Sequence, residues 1–231
     1  MTSNCHIQHI EHDSRDALEG RFRHALSDLW SHPCSTEPCI TILPGGSTPL
    51  RVYGSLTREP VAATPCTTIV LSDERMVPED HQDSNTRSIK PMALACGISD
   101  SQIIRPDTSL VLEDATQSFD NQLQDLIKRK ARVTTCFLGL GTDGHTASLF
   151  PGMLLPEPQS PNLAVPAPRE SGPSRVSIAP RLILMASKVV FIVCGADKRH
   201  MADILLTNPD SIPAGQAVRG HARVELWSCF S

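Results

Sequence analysis

The chain is 231 residues long, with 40% hydrophobic residues, 20% charged residues and a formal net charge of −4. That length is enough for one sizeable core or two small ones. The mild acidity and the lack of any Lys/Arg block argue against a general polyanion binder, and aromatic residues at 4% leave little for a surface that stacks single-stranded bases.

The N-terminus, Met1 to His6, has no basic region followed by an apolar one, so no secretory signal is expected. His6, His9 and His12 suit a strand leading into a helix. A metal there would need a matching Cys/His/carboxylate cluster, which the chain does not offer in sequence, so no metal is expected. Asp13 to Trp30 reads as an amphipathic helix with Leu18, Phe22, Ala25, Leu26 and Leu29 on one stripe. Cys39–Leu43 is a strand, and the proline at 49 suits the first turn of a helix over Thr48 to Leu56. Thr67–Leu71 is a second strand, ending in Ser72-Asp-Glu-Arg75. Ser84 to Cys96 reads as a helix that Pro91 should bend or break. Ile103 and Ile104 are extended, Glu113 to Lys130 is a long helix, and Val133 to Leu138 is a strand.

Pro151 to Pro173 contains seven prolines and reads as one irregular loop. Beyond it come a short helix over Ala179 to Ser187, a strand over Lys188 to Cys194, a helix over Lys198 to Leu206 and a final strand over Arg223 to Trp227. The longest strongly apolar stretch, Val189 to Cys194, is far short of a membrane span. The eight cysteines form no C-x-x-C pair, and Cys136 and Cys194 fall inside strand-like runs, where a thiol serves as a small buried group. Reduced thiols and a cytoplasmic location are the expectation. Strands alternating with helices predict an α/β fold: a Rossmann-like, mostly parallel, doubly wound sheet flanked by helices in a single domain spanning residues 1–231.

Three loops stand at the ends of three strands, and in a parallel sheet they would emerge on one edge. Gly45-Gly-Ser-Thr48 offers glycines, hydroxyls and a helix start. That suits a phosphate seat of backbone N–H groups, or a plain strand-to-helix turn with a hydroxyl cap. It has neither the nucleotide P-loop spacing nor the dinucleotide fingerprint, so no cofactor is expected. In the second loop, Asp73 suits a polyol hydroxyl and Arg75 an anion, while Glu74 is expected to pair with Arg75 or another base. In the third, Gly139 to His145, a carboxylate two residues from an imidazole makes Asp143 and His145 the proton-transfer candidates: the acid orients one ring nitrogen and leaves the other to activate water. Arg175 and Lys198 are lone cations near strand ends, able to neutralise a phosphate or simply solvated.

Pro44-Gly-Gly-Ser-Thr-Pro49, Asp73-Glu-Arg-Met-Val-Pro78 with His81-Gln-Asp-Ser-Asn85, and Gly139-Leu-Gly-Thr-Asp-Gly-His-Thr-Ala-Ser-Leu-Phe-Pro151 together resemble the 6-phosphogluconolactonase family, over about residues 10 to 230. That family belongs with glucosamine-6-phosphate deaminases and sugar-phosphate isomerases. The resemblance implies hydrolysis of 6-phospho-D-glucono-1,5-lactone to 6-phosphogluconate in the oxidative pentose phosphate pathway, without metal or nucleotide. The partner it implies is a small phosphorylated lactone rather than nucleic acid or membrane. Oligomeric state is left open. By position, it implies His145 as base and Asp143 as its acid partner. It implies Gly46, Ser47 and Thr48 as the phosphate loop, Arg175 and Lys198 as phosphate ligands, and Arg75 as the arginine of the D-E-R element. Ser72 and Pro44 depart from the family pattern, as does Ala179-Pro-Arg181. A deaminase is the rival enzyme, but the fifth position after His145, a glutamate in that family, is Phe150 here. A non-catalytic sugar-phosphate-binding regulator is the rival of another class, and it would not need Asp143 and His145.

Overall fold

Apolar side chains that alternate along buried strands feed two cores, one on each face of a sheet, and this pattern organises the fold. The computed structural model describes residues 6–31, 37–157 and 159–231. In chain order the elements are β1 (Ile7–Glu11), α1 (Arg15–Ser31), β2 (Cys39–Leu43), α2 (Ser47–Arg58), β3 (Thr67–Leu71), β4 (Asp73–Arg75), α3 (Asn85–Ala95) and β5 (Ile103–Ile104). There follow α4 (Leu112–Lys128), β6 (Arg132–Leu138), β7 (Ala164–Ala167), β8 (Arg175–Ile178), α5 (Pro180–Leu184), β9 (Lys188–Cys194), α6 (Arg199–Thr207), α7 (Pro213–Ala217) and β10 (Val224–Cys229). Seven strands form one parallel sheet in the order β1-β10-β9-β6-β2-β3-β5. Along β9, Val189, Phe191 and Val193 enter one core while Val190, Ile192 and Cys194 enter the other. A strand buried on both faces reads as a continuous apolar run. On α1, Leu18, Phe22, Leu26 and Trp30 are buried at fourfold spacing, and the Trp30 indole N–H donates to the buried Thr41 hydroxyl.

The direction of strand addition reverses between β2 and β6. From β2 the chain builds outward through β3 to β5, then returns to β6 on the other side and continues through β9 to β10. The loops after β2 and β6 therefore flank the crevice where a parallel sheet holds its ligand. A second, antiparallel sheet, β4-β8-β7, continues from the end of β3 and stands beside that crevice.

Several expectations are corrected. Asp73–Arg75 is a strand rather than a loop, because β8 offers it a pairing partner distant in sequence. The proline-rich segment is not wholly irregular: Ala164–Ala167 forms β7, with Pro166 exposed on an edge strand, where a missing N–H breaks no ladder. Helix α3 runs through Pro91 unbroken, and Pro91 and Arg87, the residue whose carbonyl loses its partner, are both on the exposed face. Cys39, Cys96, Cys136, Cys194 and Cys229 are free thiols, but Cys66 is disulfide-bonded, against the expectation of a fully reduced set. Cys66 lies in the turn before β3, held against the start of β2 where the Cys39 N–H donates to its carbonyl. Cys5 and Cys34 lie outside the described residues. His9 and His12 lie at β1 and bond the Ser228 hydroxyl and carbonyl; among the described residues no group of three or more His, Cys, Asp or Glu is placed to hold a metal. Among these residues, too, no helix is long and apolar enough to cross a membrane.

Candidate active site

The three strand-end loops do meet. Gly45, Gly46, Asp73, Arg75, His145, Arg175 and Lys198 line one cavity of about 160 Å³, joined by Asn85, Gly141 and Ala147. Sequence pairs explain the convergence of the cations. Arg75 and Arg175 are register partners across the β4–β8 ladder, so one pair of strands delivers both guanidiniums to the same place. Lys198 closes the short turn that follows β9 and Gly195. Ser47 and Thr48 are not among the lining side chains: Ser47 points to solvent and Thr48 is buried in the first turn of α2.

His145 and Asp143 form the pair that their spacing suggested. The imidazole Nδ1 lies 2.5 Å from the Asp143 carboxylate, which also accepts the His145 backbone N–H at 3.1 Å. With Nδ1–H donating to Asp143, Nε2 is left as the acceptor, the state a general base needs. Partial burial pushes the Asp143 carboxyl up, but the backbone N–H and the ring of His145 outweigh it and hold Asp143 below the ordinary carboxylate range. The loop depends on Gly141. A Cβ there would sit 2.1 Å from His145 Nδ1 and 2.6 Å from Asp143 Oδ1. Gly45 is required in the same way, because the Asn85 side chain occupies the space 1.9 Å from its missing Cβ.

Asp73 is committed inward. Its oxygens accept from the hydroxyls of Ser72 and Ser148, at 2.9 and 2.7 Å, and it lies 3.9 Å from the Arg175 guanidinium. Asp73 thus ties the loop after β6 to β4 through the Ser148 hydroxyl. Glu74 corrects an expectation: among the described residues it pairs with no base. Buried, it accepts the backbone N–H groups of Arg75, Asn85 and Thr86 and the hydroxyls of Ser84 and Thr86, which ties β4 to the first turn of α3. Arg75 is steadied by the Asp83 carbonyl. The Nε atoms of both Arg75 and Arg175 are buried without a hydrogen-bond partner among the described residues. Burial first, then repulsion from Arg75, lowers the affinity of the Arg175 guanidinium for its proton. The backbone donors beside Gly144 are spent, since its N–H goes to the Gly141 carbonyl and that of His145 to Asp143.

Sequence reasoning missed Asn85 and Ser148. Asn85 donates to the Asp73 carbonyl at 2.8 Å, and the Ser148 N–H donates to the Ser177 hydroxyl at 3.1 Å. Both lie inside the motifs already singled out, at a helix start and in the turn after His145, which was the only signal for them. A larger cleft of about 620 Å³ lies on the far side of Glu74. Its charged residues Glu79, Asp100 and Arg105 are ion-paired among themselves and with Lys90. Its lining holds no histidine, whereas that of the smaller cavity holds His145.

The sequence pattern of the glucosamine-6-phosphate isomerases/6-phosphogluconolactonase family matches residues 13–227. The chain belongs to that family. Relatives point to one branch of it. A 6-phosphogluconolactonase of Pseudomonas aeruginosa is 32% identical over 179 residues, covering 74% of this chain and 70% of that protein. One of Thermotoga maritima is 30% identical over 194 residues, covering 81% and 82%. The solved structure of 6-phosphogluconolactonase from Trypanosoma brucei superposes with a TM-score of 0.81 at 25% identity, covering 98% of this chain and 97% of that one. The parallel sheet flanked by helices is thus the family's own fold.

Proposed function

We propose that this chain hydrolyses 6-phospho-D-glucono-1,5-lactone to 6-phosphogluconate, acting as one lactonase domain in the cytoplasm. The observation that carries the reading is the His145 imidazole, bonded at Nδ1 to Asp143, lining a cavity walled by Arg75, Arg175 and Lys198. One end of such a substrate needs a base, and the other end needs cations. His145 Nε2 takes a proton from water as the water oxygen attacks the lactone carbonyl carbon. The imidazolium that forms is stabilised by the Asp143 carboxylate. Negative charge develops on the carbonyl oxygen, and Arg75 is the donor nearest in kind, because the amides of Gly144 and His145 are already bonded. Collapse of the tetrahedral intermediate breaks the bond between that carbon and the ring oxygen, which leaves with the proton from Nε2. Arg175 and Lys198, with the Gly46 to Thr48 backbone, hold the 6-phosphate. No carboxylate stands at the position of Phe150, whose ring is buried against the imidazole, so the site lacks the acid that sugar-ring opening would use.

The test is product formation from freshly made 6-phosphogluconolactone, measured above the spontaneous hydrolysis of the lactone. His145→Ala should fold and lose about 10²–10⁴-fold in turnover. Because Asp143 is held below the ordinary carboxylate range, its carboxylate should persist as the pH falls into that range, and protonation of Asp143 should remove activity only below it. Activity should survive a chelator. A wild-type protein with no rate above background would refute the assignment, and near-normal turnover in His145→Ala would refute the base.

A further inference from the structure

The β7–β8 hairpin brings a fourth cation to this site that neither the motifs nor the cavity lining reveals. Arg169 lies in the connection two residues beyond β7, and the register pairs Ala167 with Arg175, so the two arginines share one end of the hairpin. The Arg169 guanidinium carbon lies 4.2 Å from the centroid of the Phe150 ring, and that of Arg175 lies 5.3 Å from it. The same ring is 4.8 Å from the imidazole of His145. One buried phenyl group therefore touches the base, a cavity arginine and Arg169. We propose that Arg169 is a further phosphate-binding residue, presented to the substrate on the face of Phe150.

The charge balance supports it. Arg75, Arg169, Arg175 and Lys198 are gathered around a site whose acids are already engaged, Asp73 by Ser72 and Ser148 and Asp143 by His145. Arg169 repels the proton of Arg175, as Arg75 does, and the two guanidiniums share the Phe150 ring. No carboxylate is ion-paired with Arg169 among the described residues. A phenyl ring holds a guanidinium by its charge and consumes none of its five N–H donors. A phosphate dianion is the group that such a set is short of. An exposed lysine or arginine normally has water as its alternative, so the contribution is modest.

This rests on the lactonase reading, and binding measurements separate the two. Calorimetric titration of the whole protein with 6-phosphogluconate, and separately with inorganic phosphate, is the experiment. Arg169→Ala should weaken both ligands about three- to fivefold, as expected for one partly exposed charge contact. The loss should fade as ionic strength rises, and Arg169→Lys should recover part of it. Phe150→Leu should weaken 6-phosphogluconate to a similar degree, and the double variant should lose no more than the worse single variant. Unchanged affinity in Arg169→Ala, when wild type binds 6-phosphogluconate, overturns the proposal alone. Weaker 6-phosphogluconate binding with unchanged inorganic phosphate overturns the assignment to phosphate. A wild-type protein that binds neither ligand overturns the functional reading and this one with it.

Discussion

Gly141→Ala places a methyl group where the Asp143–His145 pair lies. The backbone at this position is not in the left-handed region, so alanine is tolerated conformationally and the effect is steric. The added carbon would meet His145 Nδ1 at 2.1 Å, Cε1 at 2.3 Å and Asp143 Oδ1 at 2.6 Å. Ordinary contact begins at 3.4 Å, so the imidazole and carboxylate must both retreat by roughly an ångström. The neighbours resist: the Gly141 N–H is bonded to the His145 carbonyl, the Thr146 hydroxyl to the Gly139 carbonyl, and the imidazole packs on Phe150. A 1 Å misplacement of a reacting group costs about 10²-fold in rate. We therefore expect kcat for lactone hydrolysis to fall about 100-fold, while 6-phosphogluconate affinity stays within a fewfold, since the phosphate ligands lie on other loops. The assays are initial rates on fresh lactone and calorimetry with product, on protein whose melting is checked to be cooperative. Turnover within threefold of wild type would refute the claim that the Asp143–His145 geometry sets the rate.

Three further outcomes follow from the same geometry. Arg75→Ala should lower kcat by about 10²–10³ with little change in product affinity, and a change confined to KM would move Arg75 to a binding role. Arg175→Ala and Lys198→Ala should each weaken 6-phosphogluconate about tenfold or more, as charge-assisted hydrogen bonds are worth roughly 1.5–3 kcal/mol; unchanged affinity in both would remove them from the phosphate site. Glu74→Ala strips the partner from five donors in a buried setting, three of them backbone N–H groups, that of Arg75 in β4 and those of Asn85 and Thr86 at the start of α3. It should destabilise the fold by about 3 kcal/mol or more, read as a lower denaturant midpoint, and an unshifted midpoint would show that this clamp contributes nothing.

Much of the fold was legible because its signals are local. Cys39–Leu43, Thr67–Leu71 and Lys188–Cys194 are short β-rich apolar runs bounded by turn residues, and each is a strand with the bounds expected. The strands that escaped notice are those whose partners are remote. Asp73–Arg75 carries three charged residues and pairs only because β8, a hundred residues later, supplies the edge. Ala164–Ala167 contains a proline and pairs only at the end of a sheet. Pattern rules see neither, since the stabilisation comes from a ladder rather than from propensity.

The chemistry of the site divides along the same line. Asp143 and His145 are two residues apart in a glycine-bounded turn, so the sequence alone brought the carboxylate to the imidazole, and it placed the glycines beside them. Which side chains share the cavity was decided by tertiary structure. The β4–β8 register brings Arg175 to Arg75, the reversal of strand order between β2 and β6 brings Gly45 to His145, and Phe150 joins Arg169 to both. The other two acids took their partners only on folding: Asp73 binds Ser148, and Glu74 caps α3. The physical reason is that a carboxylate's role is set by the donors around it, and those of Asp73 and Glu74 come largely from distant segments, which a linear pattern does not encode.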